Sequence, residues 1–349
     1  MHQQLEKERS ISSVYYILQG KQSIQTIQDT HLFGLDDYFG VFKRLNKQQY
    51  MKNIQQLESH GYLQKQEMDN HFKVTEKGKR WLMKTKGLLK KYPMNGQRYH
   101  QSNQLFYSRL LLLVQVWTNA QHHNYSYIPM IEDKATENWV KQMYHHSKTK
   151  INYCLKTLFD ELSSIFVHIE EDAVNVWVEQ LTGYQWIGRT TYQLAQEYHK
   201  STEDIHLVTT SVNHSILHQI EVAPLVYPLL TSIASVPNLD DQLTESSRKT
   251  ATLFNKGYTL EEIAIKRKLK INTICDHVVE IALHHPDFPL ESYVPVDIQA
   301  EIYSAVQQLG SFKLKLIKEK VSGDISYFDI RLVLACIQKE RKKIDGEDN

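Results

Sequence analysis

Two stretches, one near each end of the chain, set out a helix, a tight turn and a following element at the spacing of a DNA-binding unit. This narrows the fold to small helical modules. From Leu45 to Trp81 an amphipathic helix is followed by Gly61, a short strand, a polar turn, a second strand and the terminator Thr75-Glu-Lys-Gly78, the order of a winged helix. From Tyr258 to Val278 a helix, a polar turn and a second helix follow at the spacing that presents a recognition helix to a groove.

In the first stretch Tyr50, Ile54 and Leu57 recur at three- and four-residue intervals and define a buried helix face. Lys47, Gln48, Lys52, Asn53 and Gln56 then fall on the opposite face. Gly61 supplies the left-handed conformation of a helix C-cap. Tyr62-Leu63 and Phe72-Lys-Val-Thr75 are short β-prone runs on either side of the turn-rich tip Glu67-Met-Asp-Asn70. Lys43, Arg44, Lys47 and Lys52 are predicted to line one side of the module, with Lys65, Lys73, Lys77, Lys79 and Arg80 flanking the hairpin, all as DNA contacts. Met68 and His71 at the tip are candidates for a wedge against a terminal base pair. The competing reading of the module is a solvated basic face.

In the second stretch Leu260, Ile263 and Ala264 form the inner face of the first helix, Leu269 and Ile271 the turn, and Ile274 with Val278 the inner face of the second. Lys266, Arg267, Lys268 and Lys270 surround the turn as phosphate contacts. Asn272 is expected to cap the second helix, and Thr273, Asp276 and His277 to face outward near its N-terminus, where bases and phosphates are met. Similar three-helix units also serve as protein docking modules, so the pattern alone admits both uses.

Composition separates the function classes. The formal charge of +1 conceals basic excess from Lys43 to Lys91 and from Arg248 to Lys270, while Glu132 to Asp204 is comparatively acidic, and local patches are the electrostatic footprint of phosphate binding. Cys154, Cys275 and Cys336 lie far apart in apolar helical patterns, which favours buried free thiols and a cytoplasmic compartment. The histidine pairs His122-His123, His145-His146 and His284-His285 point to different sides of a helix, and no HExxH or CxxC accompanies them, so no metal is expected. No GxxxxGK[ST] and no nucleophile setting occur, so neither a cofactor, a small-molecule substrate nor an enzymatic activity is predicted. The most apolar run, Leu110 to Trp117, is too short to cross a bilayer, and no membrane association is predicted.

Length favours two or three domains. Tyr92 to Arg98 and Ser235 to Asp241 carry Pro and lack apolar period, and are the candidate linkers. Between them lie helical patterns over Asn103 to Ala120, Lys148 to Phe166, Tyr192 to Tyr198 and Glu203 to Ile233. After the second helix-turn-helix come Val296 to Leu309, Lys313 to Lys320 and Tyr327 to Gln338, with Ser326 as an N-cap. The expected architecture is mostly α: a winged helix over 10–91, a helical middle domain over 103–235 and a helix-turn-helix domain over 242–340.

On Lys21-Gln-Ser23, Phe33-Gly34, Phe39-Gly40, Gly61-Tyr62-Leu63 and Val74-Thr-Glu-Lys-Gly78, the first module resembles the winged-helix part of the RQC domain of RecQ-family helicases. On Gly257-Tyr-Thr-Leu-Glu-Glu-Ile-Ala264 and Ser326-Tyr-Phe-Asp-Ile-Arg331, the last resembles the helix-turn-helix module at the extreme C-terminus of some RecQ helicases. The whole is similar to the YpbB family, small bacterial proteins encoded beside a short RecQ-type helicase. The chain departs from an RQC helicase in having no ATPase and no zinc-binding cysteine cluster. The resemblance therefore implies a non-catalytic accessory subunit of a RecQ-type helicase in DNA repair or recombination, binding duplex DNA with a single-stranded region or fork. The alternative is a sequence-specific helix-turn-helix transcription regulator.

Overall fold

The computed structural model describes residues 1–5, 8–66, 71–234, 243–285 and 288–345, with the side chains of 86–90 and 338–345 left out of the description. The fold is mostly α, and among the described residues the sheet is limited to two short antiparallel strands. Two compact units form, one from Met1–Met83 with Pro237–Asn349 and the other from Lys84–Val236.

The first segment of the first unit contains α1 (His2–Leu5), α2 (Ile11–Gln19), α3 (Ile24–Leu32), α4 (Lys47–Ser59), β1 (Leu63–Lys65) and β2 (Phe72–Val74), and α5 (Glu76–Lys90) follows. Gly20 ends α2 in the left-handed conformation that an L-residue avoids, with φ of 68° and its N–H donating to the Ile17 carbonyl at 2.9 Å. The Gly40 N–H reaches the same carbonyl at 2.8 Å, and a Cβ on Gly20 would stand 2.7 Å from the Gly40 Cα, so the close approach requires the glycine. Strand register pairs Leu63 with Val74 and Lys65 with Phe72. Thr75-Glu-Lys-Gly78, read from sequence as a terminator, instead opens α5: the Thr75 hydroxyl accepts from the Gly78 N–H at 3.1 Å and donates to the Gly61 carbonyl at 2.6 Å. The Thr-x-x-Gly spacing fits an N-cap as well as a strand end.

The second unit holds α6 (Gly96–Tyr99), α7 (Ser102–Gln121), α8 (Lys134–Ser147), α9 (Ile151–Phe166), α10 (Glu171–Val178), α11 (Thr191–Glu197), α12 (Thr202–Val222) and α13 (Pro228–Ala234). Its core gathers Phe106, Leu110, Leu113 and Trp117 of α7, Ile165 of α9, Trp177 of α10 and Val212 and Ile216 of α12. Both indoles are satisfied, Trp117 donating to the Ser147 hydroxyl and Trp177 to Asn213 Oδ1, each at 2.8 Å. Buried Glu161 caps α13 by accepting from the Leu229 and Leu230 N–H groups at 3.1 and 2.8 Å. Residues 92–98 do not behave as a linker. The Pro93 carbonyl accepts from Ser211, the Asn95 N–H donates to His214 Nδ1 at 3.1 Å, and Arg98 pairs with Glu221, so this segment is tied down along α12. The second expected linker, from Ser235 to Asp241, lies outside the described residues.

The last segment returns to the first unit through α14 (Glu245–Phe254), α15 (Leu260–Arg267), α16 (Ile271–His284), α17 (Val296–Leu309), α18 (Leu314–Lys320) and α19 (Tyr327–Asp345). Its helices share one hydrophobic core with the first segment, joining Ile17, Leu35 and Phe39 to Ile263, Ile274, Val278 and Ile330. Polar contacts accompany this: Gln28 donates to the Arg331 carbonyl at 3.2 Å, Glu8 accepts from Ser311 at 3.0 Å, and Phe33 meets Phe312 edge-on at 5.7 Å. Ser326 caps α19 as its sequence position implies, exchanging bonds with Asp329. No helix among the described residues is long and apolar enough to cross a membrane.

Candidate nucleic-acid interface

The helix-turn-helix is held by local chemistry that the sequence spells out. Thr259 and Glu262 form a reciprocal capping box at the start of α15, and Lys268 ends that helix at φ of 53°, with the Leu269 N–H returning to the Ala264 carbonyl at 3.0 Å. α16 begins at Ile271 with Lys270 as its N-cap residue, which brings no side-chain bond to the first turn. Asn272 therefore lies inside the helix rather than capping it. The Thr273 N–H turns back to the Lys270 carbonyl at 2.9 Å, so the Ile271 and Asn272 N–H groups are the ones left for solvent or an anion, in a stretch where Lys266, Lys268, Lys270 and Asn272 are exposed and Thr273 is half-buried.

Three other expected contacts are already engaged by groups of the protein. Arg267 is half-buried and donates through Nη1 to the Ser246 carbonyl at 2.7 Å and to the Thr250 hydroxyl, and through Nη2 to the Ser246 hydroxyl at 3.1 Å, so it clamps α15 to α14. His277, expected to face outward, is only 7% exposed and its Nδ1 sits 2.8 Å from the Thr250 hydroxyl. Burial first, and then the Arg267 charge, hold its pKa below the ordinary histidine value, so the neutral ring is favoured. Asp276 pairs with Arg331 of α19 at 2.6 Å. The reason is positional: past the first turn and a half α16 is packed by α3, α14, α15 and α19, and every residue from His277 to Leu283 is buried. Only its N-terminal end can meet a nucleic acid.

The element built of α4 and the β1–β2 hairpin offers the opposite balance. α4 buries Tyr50 and Ile54, and the Tyr50 hydroxyl donates to the Ile11 carbonyl at 2.8 Å, while Asn46 caps the helix by accepting from the Gln48 N–H at 2.7 Å. Lys43, Arg44, Lys47 and Lys52 are all exposed. So are Lys65 and Lys73 on the strands and Lys77 and Arg80 on α5. Lys77 also donates to the His60 carbonyl at 2.8 Å, and half-buried Lys79 pairs with Glu76 at 2.8 Å, which draws both toward local structure. His71 is half-buried, and Met68 lies outside the described residues. The sequence reading passed over Gln49 and Gln55, which are exposed on α4. Their spacing from Lys52 on a helical wheel was the available clue.

Among the described residues no group of three or more His, Cys, Asp or Glu side chains is placed to hold a metal ion. Cys154 and Cys336 are buried, Cys275 is half-buried, and all three are free thiols.

Comparison with known proteins agrees with the geometry. Residues 246–334, from α14 into α19, match a family described as a helix-turn-helix domain. Over 331 residues, covering 94% of this chain and 92% of the relative, the sequence is 34% identical to Protein YpbB of Bacillus subtilis strain 168. No solved structure matches the chain.

Proposed function

This chain belongs to the YpbB family, and from that membership we propose a non-catalytic, cytoplasmic DNA-binding subunit that works beside a RecQ-type DNA helicase in repair or recombination. The observation that carries the DNA-binding part is the start of α16: the open Ile271 and Asn272 amides, with exposed Lys266, Lys268 and Lys270 close by in sequence, inside a matched helix-turn-helix domain. Such an end takes phosphate oxygens without reading sequence. The helicase part is supported by the likeness of both end segments to the RQC winged helix and to the C-terminal RecQ module. In that arrangement the partner supplies the ATPase, and this chain supplies grip on duplex beside a fork or single-stranded region. The hairpin between β1 and β2, whose sequence carries Met68 and His71, is the proposed wedge between strands.

The test is binding of the full chain to forks, overhangs and blunt duplexes at several salt concentrations, followed by unwinding with the RecQ-type helicase present and absent. Preference for forks and stimulated unwinding are expected. Absence of DNA binding at low salt overturns the proposal, and binding without any effect on unwinding removes the helicase role. One observation favours the second reading, a transcription regulator: the exposed side of α4 is rich in amides, which read bases better than they hold phosphates. A regulator would prefer one duplex sequence by a large factor and be indifferent to forks.

A further inference from the structure

On a helix that turns about 100° per residue, Gln48, Gln55, Ser59, Lys52, Gln56 and Gln49 of α4 fall on one continuous arc, opposite buried Tyr50 and Ile54. All six are exposed. The arc carries no carboxylate, since the acid of this helix, Glu58, is half-buried on the other side. Among the described residues Gln49 spends its amide on Asn53 Oδ1 at 3.0 Å, and the side-chain amides of Gln48, Gln55 and Gln56 have no hydrogen-bond partner. A solvated helix face built for solubility alone would mix charges of both signs. This one presents the donor–acceptor pairs of its glutamine amides beside a single lysine, Lys52, and is preceded at its N-terminal end by exposed Lys43, Arg44 and Lys47.

We propose that this face of α4 reads base edges in the major groove of duplex DNA, with adenine as the base it selects. A glutamine amide offers one donor and one acceptor side by side, the complement of adenine N7 and N6–H, whereas guanine presents two acceptors and calls for arginine or lysine. The major groove, about 12 Å wide, admits one α-helix. Gln48 and Gln55 are two turns apart, roughly 10 Å along the axis, which spans about three base pairs at about 3.4 Å each. Gln56 and Lys52 lie beside them on the arc. Lys43, Arg44 and Lys47 at the helix entrance then hold the flanking phosphates and set the register. α16 is less suited to this role, because its side chains from His277 to Leu283 are buried and its accessible N-terminal end is the one proposed to hold phosphate. The two surfaces divide the work, with α16 gripping and α4 reading.

This inference deepens the DNA-binding half of the proposed function and rests on it, independently of the helicase. The experiment is selection of the full-length protein against a duplex library with a randomised centre, followed by affinity measurements on the enriched duplex and on an all-G·C duplex of equal length. Wild type is expected to enrich a run of about three A·T pairs and to bind it about tenfold or more tightly over the G·C duplex, the discrimination of one or two good amide–adenine contacts. The variant Gln48→Ala/Gln55→Ala/Gln56→Ala should bind both duplexes equally, with an unchanged salt slope. Alanine at exposed helix positions favours the helix, and a wild-type circular dichroism melt verifies the fold. A second variant, Lys266→Ala/Lys268→Ala/Lys270→Ala, should keep the preference while weakening both affinities. Lack of enrichment, or a preference that survives the glutamine variant, overturns the reading by α4 and leaves DNA binding standing. Failure to bind any duplex at low salt overturns both together.

Discussion

A methyl group on Gly78 would press into the carbonyl oxygen of Tyr62 and stand 2.9 Å from Val74 Cγ1, so the first turn of α5 can lie against the hairpin only without a side chain there. Gly78→Ala is expected to cost about 1–3 kcal/mol through overpacking, read as a lowered midpoint in denaturant. An unchanged midpoint would mean that the hairpin yields freely. His214 carries a second consequence. Its Nδ1 accepts the Asn95 N–H, which only the unprotonated ring can do, and burial with the nearby His100 and His206 depresses its pKa to about 3. Below pH about 6.5 the unfolded chain takes up a proton that the native histidine refuses. Stability held above that pH is therefore lost as pH falls toward 3, by up to about 1.4 kcal/mol per unit. Replacement by glutamine, whose Oε1 can accept the same N–H, should flatten the acid arm of a pH–stability curve. Tryptophan emission suits the measurement, because Trp117, Trp139, Trp177 and Trp186 belong to the same unit as His214. An identical slope in wild type and variant would exclude His214 as the cause. Neither residue announced its role in the sequence: Gly78 sat in a motif compatible with two endings, and the partner of His214 is 119 positions away.

At the scale of elements, the two ends of the helix-turn-helix turn differ in kind. Lys266, Lys268 and Lys270 are exposed, Lys266 with its ammonium 4.5 Å from the Tyr258 ring centroid, whereas Arg267 between them binds Ser246 and Thr250 of α14. Alanine at the three lysines should lower the slope of log K against log salt by about 2 to 3, near 0.9 per lost phosphate contact, with little change in melting. Alanine at Arg267 should do the reverse, destabilising the fold by about 1–3 kcal/mol as the bonds to Ser246 and Thr250 vanish, while the salt slope of the folded fraction holds. Equal salt slopes for wild type and the triple variant would remove the lysines from the interface. Periodicity made α7, α9, α16 and α17 legible, because an apolar repeat at three and four residues is a property of the segment itself. It could not show that α16 is enclosed. The helix that closes over it, α3, lies more than two hundred residues earlier in the chain, and His277 and Asp276 look like surface residues until α14 and α19 are in place. α4 was readable in both senses, since one local helix carries the buried Tyr50 and the open glutamines alike.

At the scale of the whole molecule, both segments proposed to meet DNA belong to one unit and share a core, while Lys84–Val236 forms a second unit with its own. The expected division at 103 would sever Pro93, Asn95, Arg98 and Tyr99 from α12, so a fragment that keeps these contacts must begin near Lys84. We propose that fragment as the docking body for the helicase. It is comparatively acidic from Glu132 to Asp204, carries none of the lysines proposed for phosphate contact, and exposes Trp186, Ile187, Leu225 and Val226, groups that binding to a partner would shield. Calorimetry of residues 84–236 against the RecQ-type helicase is expected to show binding that matches the full chain, and the same fragment should not retard DNA. The competing site is the C-terminal segment, where α17 exposes Val296 and α18 half-exposes Leu316, and helical faces of this kind also serve as docking grooves. Because α16 and α19 pack against α3, that alternative is best tried in the full chain, by Val296→Asp/Leu316→Asp, rather than in a fragment stripped of its N-terminal partner. Helicase binding lost in this variant and absent from residues 84–236 would move the docking surface to the DNA-binding unit. Binding retained by both places it on the middle unit, with both DNA surfaces left open while the motor is engaged.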